Sequence, residues 1–175
     1  LEVGIAGPIA GFIVAVAALC LSMGQSRFVV PETLKGGILL GEPLIFRAVG
    51  YVSGMTPPAG MDTYMHPVSL AAWFGFLVTA LNLLPAAQLD GGHITYALFR
   101  SYHRWISVAV VAILLPLAIN YWIGWGLWVI VLLVLRLYHP PTLDDSIPLS
   151  SRHTVLGWIG LAILILCFTP APFTI

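Results

Sequence analysis

Leu81-Asn82-Leu83-Leu84-Pro85-Ala86-Ala87-Gln88-Leu89-Asp90-Gly91-Gly92-His93-Ile94 is the stretch on which the fold turns. Asp90 is its only acidic residue, set among side chains suited to the middle of a bilayer. An ionised carboxylate there costs roughly 2.5 to 3.5 kcal/mol on insertion scales, so it persists with a partner or a function. Pro85 lacks a backbone donor and Gly91-Gly92 disfavours regular helix, which predicts a helix broken at the Asp90 motif. Backbone groups freed at membrane depth must be buried in protein or face a wet cavity, so the motif is expected to face inward.

Composition outside the motif agrees. Of 175 residues, 59% are apolar and 8% charged, with a mean hydropathy of +0.99. That is too little charge to cover a water-soluble globule, which carries about 25% charged residues. Seven basic and seven acidic side chains balance to zero, leaving no electrostatic footprint for nucleic acid. Cys20 and Cys167 lie in apolar runs without a C-x-x-C pattern and read as small buried hydrophobes.

A spanning helix needs roughly 20 mostly apolar residues. On that rule the expected fold is all-α, a polytopic membrane protein of about five transmembrane helices. The candidates are Val3 to Met23, a motif helix over 66–99 entered at His66 to Leu84, then Trp105 to Trp122, Trp125 to Tyr138, and Val155 to Phe168. Gly7 and Gly11 have the small-xxx-small spacing of close helix packing. Region 24–65 is richer in Gly, Pro and charge and reads as a connection, with a re-entrant or interfacial segment at 38–52 where Glu42-Pro43 and Arg47 oppose a full crossing. Arg100 and Arg104 in a very short loop mark a cytoplasmic side shared with Arg136 and Arg152, opposite Arg27, Lys35 and Arg47. His66, His103, His139 and His153 fall near span ends, where an interfacial role suits an amphipathic ring.

One intramembrane carboxylate supports three chemistries. Asp oxygen joins His nitrogen in zinc sites, where three protein ligands leave a position for water; His93 shares a helix face with Asp90 only if the helix is regular there. A proton or ion relay of a transporter needs the same acid without metal. Alternatively the carboxylate is satisfied by Asn82, Gln88 or backbone donors for packing alone.

The string Asn82-Leu83-Leu84-Pro85-Ala86-Ala87-Gln88-Leu89-Asp90-Gly91 resembles the N-x-x-P-x-x-x-L-D-G motif of the site-2 protease family of intramembrane zinc metalloproteases. Gly4-Ile5-Ala6-Gly7-Pro8-Ile9-Ala10-Gly11 resembles the Ala-Gly-Pro segment of that family, and His139-Pro140-Pro141-Thr142 and Cys167-Phe168-Thr169-Pro170 resemble the tail of prokaryotic members. The resemblance implies that 1–104 is part of an intramembrane protease core and 105–175 its C-terminal transmembrane helices. It implies Zn2+ as cofactor, Asp90 as the third zinc ligand, and Asn82 as a group that positions substrate or the oxyanion. It further implies a membrane-anchored protein substrate and a multi-pass protein of the lipid bilayer, here expected in a prokaryotic cell membrane.

The family's other ligands are the histidines of an H-E-x-x-H helix, a motif that these 175 residues do not contain. Because the chain opens on Leu1, the expectation is a C-terminal piece of a larger protease, inactive without that segment. The alternatives are a catalytically inactive binding protein of protease ancestry and a transporter or ion-pathway subunit that uses Asp90.

Overall fold

The computed structural model describes residues 2–30, 38–137 and 149–174. Helix α1 (Glu2–Ser22) packs against α3 (Pro67–Asn82) in antiparallel sense through small side chains. A Cβ on Gly75 would stand 3.2 Å from that of Ala15, and one on Gly11 3.5 Å from Thr79 Oγ1. At the other end, Ser22 Oγ and Ser69 Oγ share a buried hydrogen bond of 2.7 Å. Small residues let the backbones approach where burial of apolar area gives little drive. The pairing 11/79, 15/75, 22/69 carries the start of α1 to the end of α3, where the Asp90 motif begins. A Cβ on Gly7 would meet nothing within 4 Å among the described residues, whereas Ala15 and Gly75 supply small surface between α1 and α3.

Chain 83–89 is irregular, and α4 (Asp90–Phe99) starts at Asp90 itself. A 3-10 turn at Arg100–Tyr102, with Arg100 at φ 36°, leads into α5 (His103–Asn120). Ser107 Oγ accepts from Ala87 N at 3.2 Å, so α5 turns back beside the loop that precedes α4. Helix α6 (Gly124–Val134) forms a hairpin with α5. Helix α7 (Ser151–Cys167) lies on α1, α3 and α4 through two glycines: Gly157 receives the Leu98 side chain, and Gly160 sits against Ile94 and Ile5.

Two apolar cores result. One joins Leu19, Trp73, Phe76 and Leu83 with Ile94 and Ile163; the other joins Leu114, Trp125 and Leu132 with Leu84, Ala86 and Ala87 of the motif loop. The C-terminal tail locks the two together. Trp125 Nε1 donates to Pro170 O and Trp73 Nε1 to Gly41 O, each at 2.7 Å. Strand β4 (Phe173–Thr174) pairs antiparallel with β2 (Leu39–Leu40) in the register Leu39 to Thr174. Gly41 tolerates no side chain, since a Cβ would strike the Ala171 carbonyl oxygen.

The fold is mainly helical, yet not all-α. Besides β2 and β4, β1 (Arg27–Val29) pairs antiparallel with β3 (Asp62–Tyr64). Such two- and three-residue strands rest on distant pairing and leave no periodicity in the sequence. Among the described residues, two apolar helical stretches are long enough to cross a membrane, Gly4–Gln25 and Asp90–Asn120, the second of them turned at Arg100. Pro67–Asn82, Gly124–Val134 and Ser151–Cys167 are apolar but shorter than the expected spans. Only 22% of each long window is buried, and Ile13, Val14, Ile119, Leu127 and Ile165 are exposed, a surface suited to hydrocarbon.

The motif helix expected over 66–99 is interrupted at 83–89, with Gly91 and Gly92 inside the first turn of α4 and not at the break. Segment 38–52 holds β2 and the amphipathic α2 (Leu44–Val52), which buries Phe46 and Gly50 and exposes Leu44, Tyr51 and Val52. Cys167 is buried as expected, but Cys20 is exposed on the outer face of α1. His103 is 2% exposed and packs edge-on to Tyr96, so it is a core group and not an interfacial one. His66 caps α3, its Nδ1 accepting from Val68 N. Lys35, Tyr138 and the stretch His139-Pro140-Pro141-Thr142 lie outside the described residues.

Candidate metal centre

The loop 83–89 is wound tightly onto the helix that it precedes. Leu83 N donates to Thr79 O at 3.0 Å, ending α3 just after Asn82. Ala86 N returns to Leu84 O at 2.7 Å, and Leu89 N to Ala86 O at 3.4 Å. Ala87 adopts φ 53°, a left-handed conformation that L residues rarely take, and its N–H is held by Ser107 Oγ. Ala86 and Ala87 are fully buried. Backbone strain of this kind persists only where its surroundings over-determine it.

Gly91 and Gly92 are what the loop folds onto. A Cβ on Gly91 would strike the Leu83 carbonyl oxygen and stand 2.5 Å from that of Leu84; one on Gly92 would strike Ala87 O and stand 2.7 Å from Ala86 O. Glycine here serves close backbone approach and not flexibility. His93 N donates to Leu89 O at 2.9 Å and Thr95 Oγ1 to Gly91 O at 2.6 Å, so α4 is regular from its first residue.

Asp90 is therefore fixed at a helix start, half-buried, with the positive end of the helix behind a negative side chain. No hydrogen bond to its carboxylate is recorded among the described residues, and Gln88 Nε2 reaches Leu135 O instead. His93, one turn on, shares its helix face, is exposed, and interacts electrostatically with Asp90. Gly4 of α1 lies against both: its Cβ position is 3.8 Å from Asp90 Oδ1 and 3.6 Å from His93 Cβ. Asn82 is exposed at the end of α3, and no hydrogen bond of its side chain is recorded among the described residues.

Beside this site, the start of α1 is tied to α7. His153 Nε2 donates to Glu2 Oε1 at 3.0 Å, while His153 Nδ1 lies 2.7 Å from Ser150 Oγ at the N-cap of α7. That hydrogen bond, with the charges of His153 and Arg152, holds the Glu2 carboxyl below its ordinary range.

A carboxylate oxygen that takes no hydrogen bond from the described residues suits a hard or borderline cation. Among the described residues no group of three or more His, Cys, Asp or Glu side chains could hold a metal ion. Sequence reasoning singled out Asp90 and Asn82; it missed Gly4 and Ser107, whose contacts with the motif depend on how α1 and α5 return to it.

The sequence model of peptidase family M50 matches residues 1–121. The "Probable zinc metalloprotease EGY2, chloroplastic" of Oryza sativa subsp. indica is 29% identical over 99% of this chain and 32% of its own length. The "Probable zinc metalloprotease EGY1, chloroplastic" of Arabidopsis thaliana is 28% identical over 97% and 32%. The "Probable zinc metalloprotease EGY3, chloroplastic" of Oryza sativa subsp. indica is 31% identical over 83% and 26%. The chain spans about a third of the length of the first two. Their names are chloroplastic and give no support to the prokaryotic membrane expected from the sequence. No solved structure matches the chain. The match over residues 1–121 and the L-D-G motif within it lead to one conclusion: the chain belongs to peptidase family M50.

Proposed function

We propose that this chain is the Asp-bearing part of an intramembrane zinc metalloendopeptidase that hydrolyses peptide bonds of membrane-anchored proteins, in a multi-pass protein of the lipid bilayer. Asp90 holds the zinc by a carboxylate oxygen, and the remaining ligands are the histidines of an H-E-x-x-H segment outside these residues. When bound, zinc polarises the scissile carbonyl and brings the pKa of its water toward about 7.

The observation that carries this reading is the state of Asp90. Its carboxylate is held at the start of a regular helix, behind a loop anchored on Ser107 and seated on Gly91 and Gly92, with no hydrogen bond recorded among the described residues. A packing carboxylate would be expected to take donors from its neighbours. The rigid loop fixes the direction in which the carboxylate points, as a metal ligand requires. Helices α1 and α7 pack against α4 and cover one side of the site, leaving Asp90 half-buried.

Asn82, exposed at the end of α3 and eight residues before Asp90, is the group of this chain that receives the substrate backbone or the developing oxyanion. Its side-chain amide offers two donors. A substrate helix keeps its carbonyls in hydrogen bonds, so its cleaved segment must unwind before Asn82 can engage it.

The experiment is metal analysis of the full-length protein and its Asp90→Asn variant. The wild type is expected to hold one zinc per chain and to cleave a membrane-anchored substrate, and the variant to lose both while keeping its helical circular dichroism. Full zinc occupancy in the variant would refute the role given to Asp90.

A further inference from the structure

A cavity of about 550 Å3 opens between α5 and α7. Val110, Ile113, Leu114, Leu164 and Phe168 line its apolar walls. Its charged edge is Glu42 and Arg47, ion-paired through Arg47 Nε at 3.0 Å with side chains 46% and 68% exposed. We infer that this cavity holds one acyl chain of a zwitterionic phospholipid of the surrounding bilayer, its phosphate on Arg47 and its amine on Glu42.

Volume and polarity fit a single chain. If a methylene takes about the room of a liquid water, roughly 30 Å3, the cavity accommodates on the order of 18 such units. Each buried CH2 favours binding to an apolar wall by about 0.8 kcal/mol relative to water, but surrounding lipid offers the same, so the walls alone select nothing. Selection falls to the charged edge. The guanidinium has five donors in a planar fork suited to phosphate, and the ion pair uses one. No other hydrogen bond to it is recorded among the described residues, so the two Nη groups remain for a phosphate while Glu42 meets an ammonium.

The charged edge also lies at the right level. Glu42 and Arg47 fall outside the long apolar stretches, Arg47 on α2, which exposes apolar side chains while burying Phe46 and Gly50, as a helix lying along the interface does. From there the cavity runs along α5 and α7, the path of an acyl chain below its headgroup. A zwitterionic headgroup brings one positive and one negative group together at fixed spacing, which matches the paired charges of this edge. The inference is independent of the metal chemistry of Asp90.

The test uses the full-length protein, equilibrated with phosphatidylethanolamine vesicles, extracted in mild detergent and weighed by native mass spectrometry. Wild type is expected to retain one phospholipid. Arg47→Gln should lower retention by about tenfold, the loss of charge-assisted hydrogen bonds. Ile113→Trp, which fills the cavity, should abolish it, and Ile130→Trp on the outer face of α6 should not. Equal retention in wild type and Arg47→Gln overturns the inference, as does equal retention of diacylglycerol, which has no phosphate. So does lipid-free protein in which a substrate peptide cross-links at Ile113. Should Ile113→Trp fail to fold, the comparison of Arg47→Gln with wild type decides.

Discussion

Replacing Gly91 by Ala tests the architecture of the motif with a single carbon. In an ordinary helix the change stabilises, by at most about 1 kcal/mol of helix propensity. At Gly91 the added Cβ strikes the Leu83 carbonyl oxygen and comes within 2.5 Å of Leu84 O. Both atoms are backbone, pinned by the hydrogen bonds of Leu83 to Thr79, Ala86 to Leu84 and Ala87 to Ser107. No rotamer change relieves the clash, so the loop must move. Overpacking of this kind costs about 1 to 3 kcal/mol, which exceeds the propensity gain. A net loss of about 1 to 2 kcal/mol lowers the melting temperature by several degrees, taking about 2–4 °C per kcal/mol for a domain of 150–250 residues. Gly7→Ala is the internal control. It is also helical, but a Cβ there meets nothing within 4 Å, so the same substitution should raise the melting temperature. The assay is thermal unfolding of the full-length protein in detergent, with zinc content measured in parallel. Equal or higher stability of Gly91→Ala, or equal shifts for both variants, would refute the packing assigned to the motif.

Other perturbations read other parts of the molecule. Glu2 has a carboxyl lowered from 4.5 mainly by the hydrogen bond from His153, so the tie between α1 and α7 is present above that value and is lost as pH falls through the lower folded one. Thermal melts in that acid range should show a small loss of stability in wild type that Glu2→Gln lacks. Trp125→Phe removes the donor to the carbonyl of the exposed Pro170 at 2.7 Å, so amide exchange over 168–174 should quicken, with a stability loss of about 0.5 to 1.5 kcal/mol from the lost hydrogen bond. Ser22→Ala and Ser69→Ala break one shared hydrogen bond, and their double-mutant coupling should be about 0.6 kcal/mol, the average for such bonds between membrane helices.

Hydropathy revealed α1, α3, α5 and α7 because lipid-facing and core-facing side chains are both apolar, so long apolar runs stand out against Pro, Gly and charge. The same uniformity concealed how the helices face one another. Nothing in the sequence distinguishes Gly7, whose Cβ position meets no described atom within 4 Å, from Gly75, which receives Ala15, because both lie in equally apolar surroundings. Gly91 and Gly92 suggested a break, since glycine's low helix propensity is a local property, whereas their use here is decided by carbonyls that arrive from the preceding loop. That helix regularity is what sets His93 on the face of Asp90. The pairs β1 with β3 and β2 with β4 join residues far apart in sequence and lay beyond any periodic signal. Asp90 stands out in the sequence as a carboxylate in an apolar run, whereas Asn82 is singled out only by the resemblance to the N-x-x-P-x-x-x-L-D-G motif. Their surroundings, Gly4 and Ser107 above all, are set by tertiary folding.

Whether the Asp90 side chain is bonded to the metal, as proposed, is tested most directly by X-ray absorption on a zinc-loaded, full-length Asp90→Cys variant. A thiolate in place of the carboxylate should add one sulfur scatterer at about 2.3 Å, against the nitrogen and oxygen shell at about 2.0–2.2 Å expected for wild type. A zinc spectrum with only nitrogen and oxygen neighbours in that variant, at full occupancy, would contradict it.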